Sequence, residues 1–378
     1  MYKNIGTNKN NFDACIDILF KKTQRKSFIN SKLPLAIYGF GKLGKMALRF
    51  FEINKMKVEF IVDRKINKIN LKKNNINLKK ISYLSDIKQQ INLVICLGDR
   101  TFFKIYNKYS KLKNLNCYHF YDFAEKYRKY FYLSNGWSFN INKKHKINIL
   151  KVLNILSDFR SKLYYVNFLL WHKSRTIFSF SNINLYNENK YFISPVKNFL
   201  KKKNNIILDV GSYFGDYIKE FINRYNCKLV ISIEGDLQNI LIQKQKLLKT
   251  RIVQYYNKVI SNRNGFNFFY SGGGLMSRIS KFGKKRQTVT IDSLNKNPNI
   301  IKIHLEGGEY KALQGAIKTI DRNRPAIMIS IYHSVDGVYK IIFFLKKTLS
   351  NYSYYIRGHA GLGVGYYLYC VPKNSIKF

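Results

Sequence analysis

Acidic side chains are scarce in this sequence: 21 Asp and Glu stand against 67 Lys and Arg, a formal net charge of +46 over 378 residues. Cysteine is scarce as well. Cys15, Cys96, Cys117, Cys227 and Cys370 lie far apart without a Cys-x-x-Cys pair. That excludes a disulfide framework and a cysteine zinc site, and it points to free core thiols in a reducing compartment. No apolar run approaches the roughly 18 residues that span a bilayer. Residues 164–171 and 341–345 suffice only for core segments, and residues 1–8 lack an apolar signal region. A soluble, cytoplasmic protein without a membrane span is expected.

A charge of +46 ordinarily suggests nucleic acid or an anionic surface. Here Lys outnumbers Arg 52 to 15, alongside abundant Asn, Ile, Tyr and Phe, as expected of AT-rich coding. The cations come in short dispersed runs such as 201–203 and Lys284-Lys285-Arg286, with no zinc-finger, basic-heptad or RNA-recognition pattern. A solvated Lys-rich surface is the expectation, and nucleic acid is not an expected partner. Attraction to phosphorylated or acidic substrates stays compatible.

With 46% apolar and 16% aromatic residues the chain can build full cores, and its length favours two domains. Residues 11–28 show the apolar spacing of an amphipathic helix. The short strand 35–38 then runs into Gly39-Phe-Gly41-Lys-Leu-Gly44 and a helical segment to Phe51. Strand 58–62 ends at Asp63, and strand 93–97 ends at Gly98. Strand, glycine loop, helix, strand and acid follow the order of a dinucleotide-binding half-fold. Gly39, Gly41, Gly44 and Asp63 are therefore the candidate residues of an N-terminal nucleotide site.

Between about 122 and 200 helical spacing and aromatics dominate, without a usable motif. A second alternation starts at Asn205, with strands expected at 206–208, 229–233, 252–255, 300–305, 326–331 and 366–371. The expected architecture is α/β: two doubly wound Rossmann-like domains, at 1–121 and 204–378, joined by a mainly helical connector at 122–203.

In the second alternation Asp209-Val-Gly211-Ser-Tyr-Phe-Gly215-Asp216 places a carboxylate at a strand end and two glycines in the next turn. Glu234 ends the following strand, where a carboxylate accepts both hydroxyls of an adenosine ribose. The loop is not the bare Gly-x-Gly-x-x-Gly that pyrophosphate prefers, and Asp216 adds negative charge. A cationic nucleoside, such as the sulfonium of S-adenosylmethionine, suits it better. Asp209, Gly211, Gly215 and Glu234 are the candidate cofactor residues; an ordinary strand–helix turn is the alternative.

The densest segment is Lys302-Ile-His304-Leu-Glu306-Gly307-Gly308-Glu309. Strand alternation puts Lys302, His304 and Glu306 on one face, and the glycines permit a tight turn into a helix. Ionisable groups gather at the carboxyl end of a strand, where open α/β sheets bind ligands.

Taken together, residues 205–372 resemble the FkbM-type S-adenosylmethionine-dependent methyltransferases. The matching pieces are the Asp209–Asp216 loop, Glu234, Thr290-Ile-Asp292-Ser-Leu294, the 302–316 signature, Arg324-Pro325 and His333. His304 stands where the family usually has Asp, Gly308 where it has Ala, and Gly235 replaces a common Pro. The resemblance implies a class I methyltransferase-like sheet and S-adenosylmethionine as cofactor. The implied acceptor is a small hydroxylated molecule, a sugar in polysaccharide or natural-product biosynthesis.

Methyl transfer needs in-line positioning, and a hydroxyl acceptor benefits from a base. Glu306, His304, Glu309 and His333 are the candidate catalytic residues, with Arg357 and His359 behind them; no residue is assigned to a metal. For His304 the alternative is a polar strand-end residue bonded to a neighbour, and for Glu309 a carboxylate favoured by the helix dipole. Two other functional readings stay open: a nucleotide- or NAD-binding oxidoreductase or sugar-nucleotide enzyme centred on residues 39–63, and a non-catalytic methyltransferase-like binding protein.

Overall fold

A computed structural model describes residues 3–7, 12–21, 29, 32–64, 77–98, 101–127, 133, 135–180, 189–200, 204–248, 250–271, 277–281, 283–360 and 362–373. The expected helix at 11–28 is seen as Phe12–Phe20, while residues 22–28 and the lysines at 201–203 lie outside the described residues.

Five parallel strands form the N-terminal sheet, in the order Asn77–Lys79, Val58–Val62, Leu35–Tyr38, Ile91–Ile95, Leu115–His119. Alternation decides which core each side chain joins. Leu35 and Ile37 pack under the helices Lys42–Ile53 and Phe120–Lys126, whereas Ala36 and Tyr38 pack under Thr101–Tyr109. Helices on both faces explain why the three central strands read as largely apolar runs, whereas Asn77–Lys79 and Leu115–His119 carry polar residues.

The C-terminal sheet has seven strands, in the order Val253–Tyr256, Cys227–Ile233, Asn205–Val210, Ile300–Ile303, Ala326–Ser330, Tyr366–Pro372, Tyr352–Gly358. Tyr366–Pro372 alone runs antiparallel to its neighbours. Chain order reverses direction at Asn205–Val210, whose neighbours are Cys227–Ile233 on one side and Ile300–Ile303 on the other. Such a switch point opens a crevice at the carboxyl ends of the strands.

The sequence pattern did not reveal a further four-stranded sheet, ordered Val259–Ile260, Lys284–Val289, Gly265–Tyr270, Arg278–Ile279. Its two longer strands are largely exposed and Lys284–Val289 is charged, so neither shows the pattern of a covered strand. The basic run Lys284-Lys285-Arg286 lies on it, with Arg286 donating to the Gly235 carbonyl and to Asn257.

The helix Phe159–Ser174 ties the two sheets together. Asp158 caps it by accepting from the Ser161 amide, and Arg357 on strand Tyr352–Gly358 pairs with Asp158 at 2.7 Å. At the other end Arg175 pairs with Asp122 at 3.0 Å, donates to the Gly136 carbonyl and covers Trp171. Trp171 packs with the N-terminal core while Tyr164 and Phe168 pack with the C-terminal one. Both ends of one helix are thus held by ion pairs in which the arginine is buried and the carboxylate partly so. Replacing Arg175 by Met leaves Asp122 buried without its cation, which should lower unfolding stability by about 3–5 kcal/mol. Urea denaturation checks this, and Asp122→Asn added to that variant should recover part of the loss.

Candidate functional site

Gly211 leaves the strand Asn205–Val210 with φ of +74°, and a Cβ there would lie 2.0 Å from the His304 carbonyl oxygen. The turn after one strand therefore touches the turn after its neighbour, and glycine alone permits it. Lys302 locks the two together: its Nζ lies 2.7 Å from Asp209 Oδ1 and donates to the Gly211 carbonyl at 2.7 Å. Beyond them opens a cavity of about 1020 Å³, lined by residues that include Gly211, Tyr213, Glu234, Lys190, His304 and Glu306. That volume accommodates a nucleoside-sized ligand with an acceptor beside it.

Glu234 follows the strand Cys227–Ile233 and lines this cavity. Its Oε2 accepts from the Tyr213 amide and its Oε1 from the Asp236 amide, both at 2.9 Å. Burial pushes its pKa up to about 7, against the pull of these two amides. Behind the loop, Ser212, Ser232 and Gln243 form a buried hydrogen-bonded cluster that fixes its path.

The strand Ile300–Ile303 ends before His304, so alternation does not carry Glu306 to the cavity as the sequence pattern suggests. Instead Glu306 adopts φ of +51° and Gly307 +104°, a left-handed turn that swings the Glu306 carboxylate inward. A non-glycine residue held there stores local strain, a feature typical of functional sites. Glu306 Oε1 faces His304 Nε2 at 3.2 Å, and Oε2 faces His333 Nε2 at 3.5 Å. His304 is also wrapped by phenols: Tyr191 and Tyr367 at Nδ1, 3.3 and 3.1 Å away, and Tyr332 at Nε2. Burial pushes His304 down to about 4, so its imidazole is neutral at pH 7 and a weak proton acceptor. Burial would lower His333 too, but the carboxylates of Glu306 and Glu309 outweigh it and hold it above the ordinary histidine range.

Glu309 is buried away from the cavity lining. It accepts from the amides of Leu305 and Gly307, from Ser330 and from His333 Nδ1, the last at 2.5 Å. It thereby locks the turn that holds Glu306. Burial favours its neutral form, yet His333 and Ser330 hold its pKa below the ordinary range.

The structure brings His304, Glu306, His333, Gly211 and Glu234 to one cavity. Asp209, Gly215 and Glu309 do not line it, Asp209 being spent on Lys302. Gly39, Gly41, Gly44 and Asp63 do not line it either; Asp63 accepts from the Phe40 amide, closing the N-terminal glycine turn on itself. Arg357 is paired with Asp158, and His359 Nε2 faces the Tyr369 hydroxyl at 2.7 Å.

Sequence reasoning missed Lys42, Lys190, Tyr191, Tyr217 and Trp137, which also line the cavity. Lys190 lies about 5 Å from the rings of Tyr191, Tyr217 and Tyr367, and burial pushes its pKa down to about 7. Trp137, Lys190 and Tyr191 come from the connector and Lys42 from the opposite domain, so no local motif announces them, and Tyr217 follows the loop that ends at Asp216. Ser212, Tyr213 and Asp216, which line it too, stood inside the quoted loop.

Residues 209–354 match the family described as methyltransferase FkbM domain. A crystal structure of an FkbM methyltransferase from Methylobacillus flagellatus KT is similar at a TM-score of 0.61 and 15% identity, over 96% of this chain and 98% of that one. This likeness concerns the fold. A precorrin-6y C5,15-methyltransferase from Geobacter metallireducens GS-15 is similar at 0.31 and 15% identity, over 50% of this chain and 94% of its own. Curated proteins give no match to the sequence. What these comparisons show is a methyltransferase FkbM domain over residues 209–354.

Proposed function

We propose that this protein transfers a methyl group from S-adenosylmethionine to a hydroxyl of a small acceptor, a sugar in polysaccharide or natural-product assembly. One observation carries the reading: Glu234 and Glu306 open onto the same cavity from either side of the Gly211 turn. Glu234 lies where a carboxylate receives ribose hydroxyls, and Gly211 lets the ligand approach the backbone.

The bound cofactor supplies an electrophilic methyl on a sulfonium. The chain's own residues position it and the acceptor and manage one proton. S-adenosylmethionine held at Gly211 and Glu234 would supply the methyl group for the acceptor oxygen, and the Glu306 carboxylate would take the hydroxyl proton. His304 is a weak base for that task, since burial pushes it down to about 4. His333 stands behind Glu306, oriented by Glu309, and acts as a positioning residue. The aromatic rings around Lys190 give the cavity wall an affinity for cations. The N-terminal glycine turn is a further candidate for a nucleotide, supported by its spacing alone.

Calorimetry of the full chain with S-adenosylhomocysteine tests the cofactor assignment. Saturable binding, weakened at least tenfold in Glu234→Ala, is expected; absence of binding sinks the reading. Hydroxyl donors favour ionised Glu234, so affinity should rise with pH by up to tenfold per unit below about 7 and level off above. Glu234→Gln should flatten that profile. Stability of the ligand-free chain runs the other way. A raised carboxyl pKa favours the protonated form, so this contribution falls as pH climbs from the ordinary carboxylate range through about 7. For catalysis, Glu306→Gln should cut transfer of labelled methyl to a hydroxylated acceptor by about 10²-fold while leaving S-adenosylhomocysteine affinity within a few-fold. Equal loss of both would assign Glu306 to binding.

A further inference from the structure

Each of three side chains at the inner wall of the cavity points a ligand-type atom at the same small space. These atoms, from His304, Glu306 and His333, all lie within 4.8 Å of one another. The carboxylate sits between the imidazoles, 3.2 Å from His304 Nε2 and 3.5 Å from His333 Nε2. Atoms that share one ion at about 2.0–2.2 Å stand roughly 3.0–3.5 Å apart, so these separations need little adjustment. We propose that His304, Glu306 and His333 form a binding site for a single divalent transition-metal ion.

The surroundings supply what such a site requires. His333 Nδ1 is engaged by Glu309, whose other contacts are the Ser330 hydroxyl and two amides. A histidine ligand commonly has its second nitrogen held by a carboxylate, which fixes the tautomer and aims the other nitrogen at the metal. His333 Nε2 is buried, has no hydrogen-bond partner among the described residues, and faces Glu306. His304 is held by phenols, Tyr191 and Tyr367 engaging Nδ1 while Nε2 turns to Glu306 and the Tyr332 hydroxyl, which an ion would displace. The cavity on the far side leaves coordination positions open to water or to an acceptor oxygen.

Two imidazoles and one carboxylate select the ion class. Nitrogen ligands suit Zn²⁺, Fe²⁺, Co²⁺ or Mn²⁺, whereas Mg²⁺ prefers an all-oxygen shell. His304 is decisive, because the aspartate usual in the resembling family at this position would present a different donor set. A monodentate Glu306 keeps its second oxygen for the proton transfer described above, so the two assignments are compatible. Ion binding itself does not depend on the methyl-transfer reading.

The test uses the full chain after chelator treatment, titrated with Co²⁺ by visible absorption and with Zn²⁺ by calorimetry. Expected are one equivalent of each ion, competing for one site, and visible bands of a nitrogen–oxygen cobalt complex. His333→Ala and, separately, Glu306→Gln should each weaken binding by roughly tenfold or more, and Glu309→Gln by roughly tenfold. Glu306→Gln preserves size and guards against a folding defect in the histidine variant. Absence of stoichiometric binding, or binding unchanged in both ligand variants, overturns the proposal and leaves the cluster as an internal ion pair. In the unaltered chain S-adenosylhomocysteine binding separates the two readings: its absence with metal binding intact sinks the methyl-transfer assignment, and its presence without metal binding sinks the metal site.

Discussion

A single buried ammonium underlies the site. Lys302 sits 4% exposed between the Asp209 carboxylate and the Gly211 carbonyl, joining the ends of two neighbouring strands. Burying either charge alone would cost several kcal/mol, so each requires the other. The consequence is geometric. With the strand ends clamped, Gly211 can press against the His304 backbone, and the turns that carry Glu234's partner Tyr213 on one side and Glu306 on the other acquire fixed positions. Asp209 then belongs to the foundation of the cavity and not to its lining.

The same economy governs the second turn. Glu309 gathers two backbone amides, a serine hydroxyl and an imidazole with one carboxylate. That set of bonds offsets the strain of the left-handed Glu306 and holds its carboxylate between two histidines. In a chain of net charge +46 the cavity lining is mixed in charge, with Asp216, Glu234 and Glu306 set among cations that include Lys42, Lys190 and Lys302. Lys190, ringed by three tyrosines, is pushed down to about 7 in that same space. Long-range charge and local potential are therefore separate properties of this molecule. The first is a surface sum, whereas the second depends on which few side chains are desolvated together.

The helix Phe159–Ser174 shows a similar division of labour. Its sequence reads as apolar on nearly every face, which local reasoning interprets as a buried connector. Its tertiary role is to be the shared wall of two cores, anchored by Asp158–Arg357 at one end and Arg175–Asp122 at the other. Arg357 looked like a site residue because of the adjacent glycine-rich loop, and it is occupied by this anchorage.

Sequence alone determined the apolar parallel strands of both sheets, because doubly covered strands must be continuously apolar, whereas Asn77–Lys79, Leu115–His119 and the edge strand Tyr352–Gly358 were not expected from it. It also determined the glycine turn at Gly211 and the charged segment from Lys302 to Glu309, because tight turns and clustered ionisable groups leave short-range marks. The mixed sheet around Gly265–Tyr270 left none, its longer strands being largely exposed and lacking the continuous apolar run of a covered strand. Tertiary structure decided which of the predicted residues face the cavity. Asp209 and Glu309 turned to structural partners, Glu306 arrived through a left-handed turn and not by strand alternation, and His333 joined His304 from 29 positions away along the chain. The physical reason is that a side chain's direction depends on what its charge can pair with once water is removed, and those partners lie on other strands.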